Sequence, residues 1–253
     1  MPLRGRAAGG ADGGRINDGS PAIRSLAGID ASRHRDDSLA KQLGLLGRGE
    51  LVSFLYKDLS VWDTLSGSVP RSLASAASKR RREFAAGRQC AYTALRRAGC
   101  AIGNWLPIGQ DQLPVWPHGW LGSISHTEKG AVAVAGRTDV LTLLGIDIEL
   151  LEEDQTWEEV RHLVVSGDEL TILGSLAVAK AICLAFSAKE ALFKALYPSV
   201  RCFKDFTAAR IVSFRPASLE LILSEPWGKH PQGSVLDVSY VFAFGHVFTA
   251  VVR

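Results

Sequence analysis

Four strand-like segments follow one another at the end of this chain, near residues 209–214, 218–223, 235–244 and 246–252, with no helical stretch between them. Gly245, between the last two, suits a hairpin turn. Three more short apolar segments, Leu121 to Ser125, Ala131 to Ala135 and Leu143 to Leu150, come in succession earlier, separated by polar turns. Strands in runs, not alternating with helices, favour an α+β fold over a doubly wound parallel sheet. Two helical stretches complete the pattern. From Ser72, the residues Leu73, Ala77, Phe84, Ala91, Leu95 and Ala98 recur at helical spacing, and Gly99 is a natural stop. A second helix runs from about Val178 to Leu196 and is expected to end at Pro198. The Pro-rich stretch from Pro107 to Pro117 reads as a loop. Residues 30–70 mix short apolar runs with Gly and Ser and yield no clear element, and residues 1–25 read as a disordered tail.

Composition narrows the function classes. The apolar runs are far too short to span a bilayer, and the Gly-, Ala- and Arg-rich start holds no apolar core of a secretory signal, so a cytoplasmic, non-membrane protein is expected. A formal charge of +3 is too small to argue for nucleic acid or a membrane surface. Cys90, Cys100, Cys183 and Cys202 form no CxxC pair and read as small buried hydrophobes in a reducing compartment.

Four groups of residues carry possible chemistry. In Leu144-Gly145-Ile146-Asp147-Ile148-Glu149 alternation sends Ile146 and Ile148 to one face and Asp147 with Glu149 to the other. Two adjacent carboxylates repel unless a cation or proton lies between them, although an ordinary solvated strand has the same pattern. In FSAKEALFKALYP, Glu190 and Lys194 are four residues apart and share a helix face, with Lys189 adjacent; this suits a surface ion pair or a third acid for a magnesium site. Gly122-Ser123-Ile124-Ser125-His126-Thr127 suits a turn that holds an anionic oxygen, or a structural histidine. The GxSxG elbow of a nucleophilic serine is absent. Arg80, Arg81 and Arg88, at spacings of seven and eight, suit a phosphate or a solvated helix face. There is no Walker loop, dinucleotide fingerprint or HExxH, so a phosphate would be gripped by side chains and turns.

Taken in order, KRRREFAAGRQCAYTAL, PVWPHGWLGSISHTEKGAVAVA, LGIDIEL and FSAKEALFKALYP resemble the 4′-phosphopantetheinyl transferase superfamily over residues 78–200, nearest its larger single-chain type serving siderophore, surfactin and other assembly-line synthases. The resemblance implies two pseudo-symmetric α+β halves, each a helix on a mainly antiparallel sheet, with the active site between them. That gives expected bounds of 1–25 for the tail, 26–145 for the N-terminal half and 146–253 for the C-terminal half. It implies Mg2+ (or Mn2+) on Asp147, Glu149 and Glu190, with Glu190 also the general base and Lys194 a catalytic partner. It implies coenzyme A held by Arg80, Arg88, Ser125, His126, Lys189 and Lys194. The partner would be an acyl or peptidyl carrier protein, and the enzyme a monomer. One departure stands out: members commonly carry Lys or Arg shortly before the Pro of the PVWP block, whereas Gln110-Asp111-Gln112-Leu113 offers no cation here.

The implied reaction moves the phosphopantetheine arm of coenzyme A to a carrier serine, leaving adenosine 3′,5′-bisphosphate. The same acids acting on water would make a magnesium-dependent phosphohydrolase, and a nucleotide-binding module without catalysis is the third reading.

Overall fold

A computed structural model describes residues 33–55, 75–151 and 155–253. The expected tail at 1–25 and the helix start at Ser72 lie outside them. The elements run α1 (Arg33–Gln42), β1 (Glu50–Leu55), α2 (Ser78–Arg97), β2 (Trp120–Thr127), β3 (Gly130–Arg137), β4 (Leu144–Leu150), α3 (Gln155–Val164), α4 (Gly167–Ile172), α5 (Val178–Val200), a 3-10 turn at Phe206–Ala208, β5 (Ala209–Arg215), β6 (Ser218–Leu223), β7 (Val235–Ala243) and β8 (His246–Val252). They form an α+β fold with two antiparallel sheets, ordered β1-β3-β2 and β4-β8-β7-β6-β5.

The layers follow from alternation. On β3, Ala131, Ala133 and Ala135 pack under α2 with Ala86, Cys90, Ala94 and Leu95. The intervening Val132 and Val134 face the second sheet, meeting Ile146, Ile148, Phe248 and Ala250, with Leu39 of α1 and Leu43 in the turn after it filling the same layer. On β8, Val247 and Val251 turn the other way, toward Ile182, Ala188 and Leu192 of α5. The order is therefore α2, three-stranded sheet, five-stranded sheet, α5. Strands buried on both faces read as continuous apolar runs, which is why β3 and β8 were legible from sequence.

Local chemistry sets the ends of the elements. Gly99 (φ +89°) closes α2 as a Schellman motif, with Cys100 N–H donating to Leu95 O (2.9 Å) and Gly99 N–H to Arg96 O (3.1 Å). The β7–β8 hairpin turns on Phe244 and Gly245, both at positive φ, as a tight two-residue turn requires. Pro198 does not stop α5. The helix runs on to Val200, because a proline in the last turn forfeits one hydrogen bond there, and Arg201 in a left-handed conformation ends it with its N–H on Tyr197 O. The cysteines are all free, but only Cys90 and Cys183 are buried, while Cys202 is exposed.

One contact positions the site. A Cβ on Gly145 would lie 2.1 Å from Ala191 O and 2.7 Å from Ala195 N, so α5 lies directly on the β4 backbone where this glycine leaves room. The helix residues on either side of that contact then meet the acids of β4.

Candidate functional site: an acid cluster beside an arginine pocket

β4 is an edge strand, and Gly145 and the Asp147 side chain face α5 while Ile146 and Ile148 are sealed between the sheets. Asp147 is 1% exposed. Its Oδ1 accepts from Ser125 Oγ (2.8 Å) and from Lys194 Nζ (2.5 Å), and Lys194 Nζ also donates to Ser125 Oγ (2.9 Å). Its Oδ2 is buried with no hydrogen-bond partner. An orphaned carboxylate oxygen in such a position calls for a cation or a donor.

Two further acids surround it. Burial, then the charge of Asp147, pushes Glu149 up to about 9, with Glu190 adding and Lys194 opposing. Burial likewise raises Glu190, with Lys194 opposing and Asp147 adding. The three acids are thus brought into mutual range with too little positive charge. Among the described residues no three His, Cys, Asp or Glu side chains already converge as a ready-made metal site. Lys194 meanwhile rests against Asp147 as counter-ion. The donor set nevertheless fits a hard dication: all ligands are oxygen, one is orphaned, and two are held toward the neutral form by burial and like charge.

Ser125 and His126 part company, because neighbours on a strand face opposite ways. Ser125 joins the acid cluster. His126 looks into a separate pocket of about 180 Å³ lined by Arg80, Glu83, Arg88, Gln112, Pro114 and Ile124, among others. Arg80 Nη1 donates to His126 Nε2 (3.0 Å), which requires that nitrogen to be unprotonated. Desolvation, then Arg80 and Lys194, lowers the imidazole to about 4, which agrees with a neutral His126 accepting from Arg80. Arg88 is 4% exposed and stacks over Phe84 at 4.9 Å, and its buried Nη1 has no partner. Desolvation draws it down to about 10. A buried guanidinium with an unused N–H beside a second arginine has the donors and charge that suit an anion such as phosphate. Arg81 turns elsewhere, to Ala76 O and Ser78 Oγ.

A cleft of about 930 Å³ lies alongside, lined by the Pro-rich loop, β2, the start of β4 and the α5 face that carries Glu190, Phe193, Lys194, Tyr197 and Arg201. It shares Pro114 and Ile124 with the arginine pocket. The cation lacking before Pro114 has a neighbour here: Arg201 lines the same cleft and forms an ion pair with Asp111.

Lys189 needs correction. It does not reach either cluster. Its Nζ lies 2.8 Å from Glu169 Oε1 and donates to Val164 O (2.7 Å), with both charged side chains 4% exposed. Glu169 in turn accepts from Ser166 N–H and Ile211 N–H, so the pair ties α5 to α4 and β5. One residue before Glu190 is about 100° around a helix, enough to turn Lys189 away from the cleft. Glu83 escaped the sequence reading, and Ser123 was named there only as part of its segment, with no role of its own. Glu83, three residues after Arg80 on the same face of α2, lies 4.0 Å from Arg80 and 3.9 Å from His126 Nδ1. Ser123 Oγ, 5% exposed with its residue, accepts from Ile146 N–H (3.1 Å).

Residues 69–136 match the 4′-phosphopantetheinyl transferase N-terminal domain, and residues 143–244 match the 4′-phosphopantetheinyl transferase superfamily. Enterobactin synthase component D of Salmonella typhi is 39% identical over 154 residues, 60% of this chain and 62% of the relative. The 4′-phosphopantetheinyl transferase Svp of Streptomyces mobaraensis is 36% identical over 143 residues, 55% and 57% of the two chains. The 4′-phosphopantetheinyl transferase PptT of Mycobacterium tuberculosis is 31% identical over 151 residues, 55% and 61%. The chain thus spans about three fifths of the length of the curated relatives it matches. With both family regions matched in order and the acid cluster at their junction, the chain belongs to the 4′-phosphopantetheinyl transferase superfamily.

Proposed function

We propose that this chain transfers the 4′-phosphopantetheine arm of coenzyme A to a serine of an acyl or peptidyl carrier protein, leaving adenosine 3′,5′-bisphosphate. The observation that carries the reading is Asp147: a buried carboxylate with one oxygen bound by Ser125 and Lys194, the other orphaned, and two more acids beside it. Asp147, Glu149 and Glu190 would hold Mg2+ or Mn2+, which when bound neutralises phosphate charge and orients the pyrophosphate for in-line displacement. The arginine pocket suits the nucleotide's ribose phosphate, and the adjoining cleft has room for the rest of the donor.

The chain's own groups then have distinct tasks. Glu190, raised above the ordinary carboxylate range by burial, is suited to take the proton of the incoming serine. Lys194, already bridging Ser125 and Asp147, donates to phosphate oxygens as charge shifts to the leaving group. His126 holds Arg80 in place as a neutral acceptor, and the pocket they share is where the resemblance implies a coenzyme A contact. Domain bounds near residues 26–145 and 146–253 are part of this proposal; the chain passes from the three-stranded to the five-stranded sheet after β3, and the proposed division falls just inside β4.

Intact-mass analysis of an apo carrier protein incubated with coenzyme A and Mg2+ tests the proposal. A gain of one phosphopantetheine per carrier supports transfer. Free phosphopantetheine beside an unmodified carrier overturns it in favour of hydrolysis, and unchanged coenzyme A overturns it in favour of binding alone.

A further inference from the structure

β2 and β4 belong to different sheets, and no main-chain ladder joins them among the described residues. Side chains make the link instead. Ser123 and Ser125 alternate onto the same face of β2. Ser123 Oγ accepts from Ile146 N–H at 3.1 Å and reaches Ile146 O at 3.5 Å, fixing the backbone immediately before Asp147. Ser125 Oγ donates to Asp147 Oδ1 at 2.8 Å and accepts from Lys194 at 2.9 Å, fixing the carboxylate itself. Both serines are 5% exposed, so these bonds are shielded from competing water. With Oδ1 taken twice, rotation of the carboxylate is restricted and Oδ2 alone is left to present.

We propose that Ser125 is a positioning residue for the acid cluster, acting through Asp147 and not through a phosphate of the donor. The inference rests on the transferase reading and deepens it. It departs from the role the resemblance implied, in which Ser125 and His126 both touch coenzyme A phosphates. The two side chains face opposite sides of β2: His126 lines the arginine pocket and Ser125 does not. Hydrogen bonds that orient a metal-ligating carboxylate typically matter 10–100-fold in metal affinity.

The experiment reads two probes on Ser125→Ala, Ser125→Thr and His126→Ala. Mn2+ binding is followed by loss of the free-ion EPR signal with coenzyme A present, and adenosine 3′,5′-bisphosphate binding by calorimetry without metal. Ser125→Ala should weaken Mn2+ roughly 10–100-fold and leave the bisphosphate within about twofold. His126→Ala should do the reverse, and Ser125→Thr, which keeps the hydroxyl, should recover most of the Mn2+ affinity. Loss of bisphosphate affinity in Ser125→Ala with Mn2+ unchanged would return Ser125 to the phosphate and overturn the assignment, as would no change in either probe. A wild-type protein that binds neither probe would overturn the transferase reading beneath it.

Discussion

Gly145→Ala probes whether the close seat of α5 on β4 assembles the site. The new Cβ would sit 2.1 Å from Ala191 O, 2.7 Å from Ala195 N and 2.9 Å from Ala195 Cβ. Both first neighbours are helix backbone and cannot swing aside, so the helix must back away by about 1 Å to restore ordinary contact. Overpacking of this kind costs about 1–3 kcal/mol. The same displacement moves Lys194 Nζ off its 2.5 Å contact with Asp147 and shifts Glu190, which is carried on the same rigid turn. A misplacement of about 1 Å at reacting groups lowers rates by roughly 10²-fold. Thermal unfolding followed by circular dichroism measures the first effect, and single-turnover transfer to an apo carrier the second. Binding of adenosine 3′,5′-bisphosphate, in the pocket under α2, should survive. Wild-type stability and transfer in this variant would refute the claim that backbone-to-backbone contact sets the geometry.

Arg88→Ala should weaken coenzyme A more than dephospho-coenzyme A, by about tenfold or more for a lost charge-assisted bond; equal losses in calorimetry would move this arginine away from the ribose phosphate. His126 should titrate near 4 by NMR, not 6.5, because desolvation first and Arg80 second disfavour its cation. Its folded pKa is depressed, so between pH 6.5 and 4 the unfolded chain binds more protons; the associated stability is full above that window and is lost as pH falls through it. A midpoint near 6.5 would contradict the desolvation of the imidazole and its contact with Arg80. Lys189→Met should cost about 3–5 kcal/mol by leaving Glu169 buried without its partner, with coenzyme A affinity of the folded protein retained. Weaker coenzyme A binding at unchanged thermal stability would place Lys189 in the cleft after all.

The strands β2 to β8 were legible because their side chains obey alternation or are buried on both faces, as in β3 and β8, whereas β1 lies in the stretch 30–70 that yielded no clear element. The helix α1 was not legible either. Its buried residues include Asp36, whose carboxylate accepts from Ser53 N–H, Ser53 Oγ and Arg97, so a polar network does the work that periodic leucines do elsewhere. α4 is only six residues long, too short for periodicity, yet Ser166 and Glu169 form a capping box whose spacing stood in the sequence. At the site, strand alternation set Asp147 beside Glu149 and a four-residue helical step set Glu190 beside Lys194, but both patterns also suit a solvated surface, and it was the family resemblance that implied one shared site. Lys189 and Lys194 are five apart, about 140° around a helix, and that phase alone argued against placing both in one cleft. Ser123 gave no signal, because its partners are backbone atoms of a strand far along the chain.

In the proposed reaction this acid cluster performs phosphopantetheine transfer with Glu190 as base. Its most direct test is a single-turnover reaction of enzyme, coenzyme A, Mg2+ and apo carrier, run with wild type and Glu190→Gln from pH 5 to 9. Holo-carrier and adenosine 3′,5′-bisphosphate are quantified together. Wild type should release one bisphosphate per carrier modified, and Glu190→Gln should bind coenzyme A near normally while its rate falls by roughly 10²–10⁴-fold. Bisphosphate release without carrier modification would contradict the transfer claim, and a Glu190→Gln rate and pH profile equal to wild type would contradict the assignment of the base.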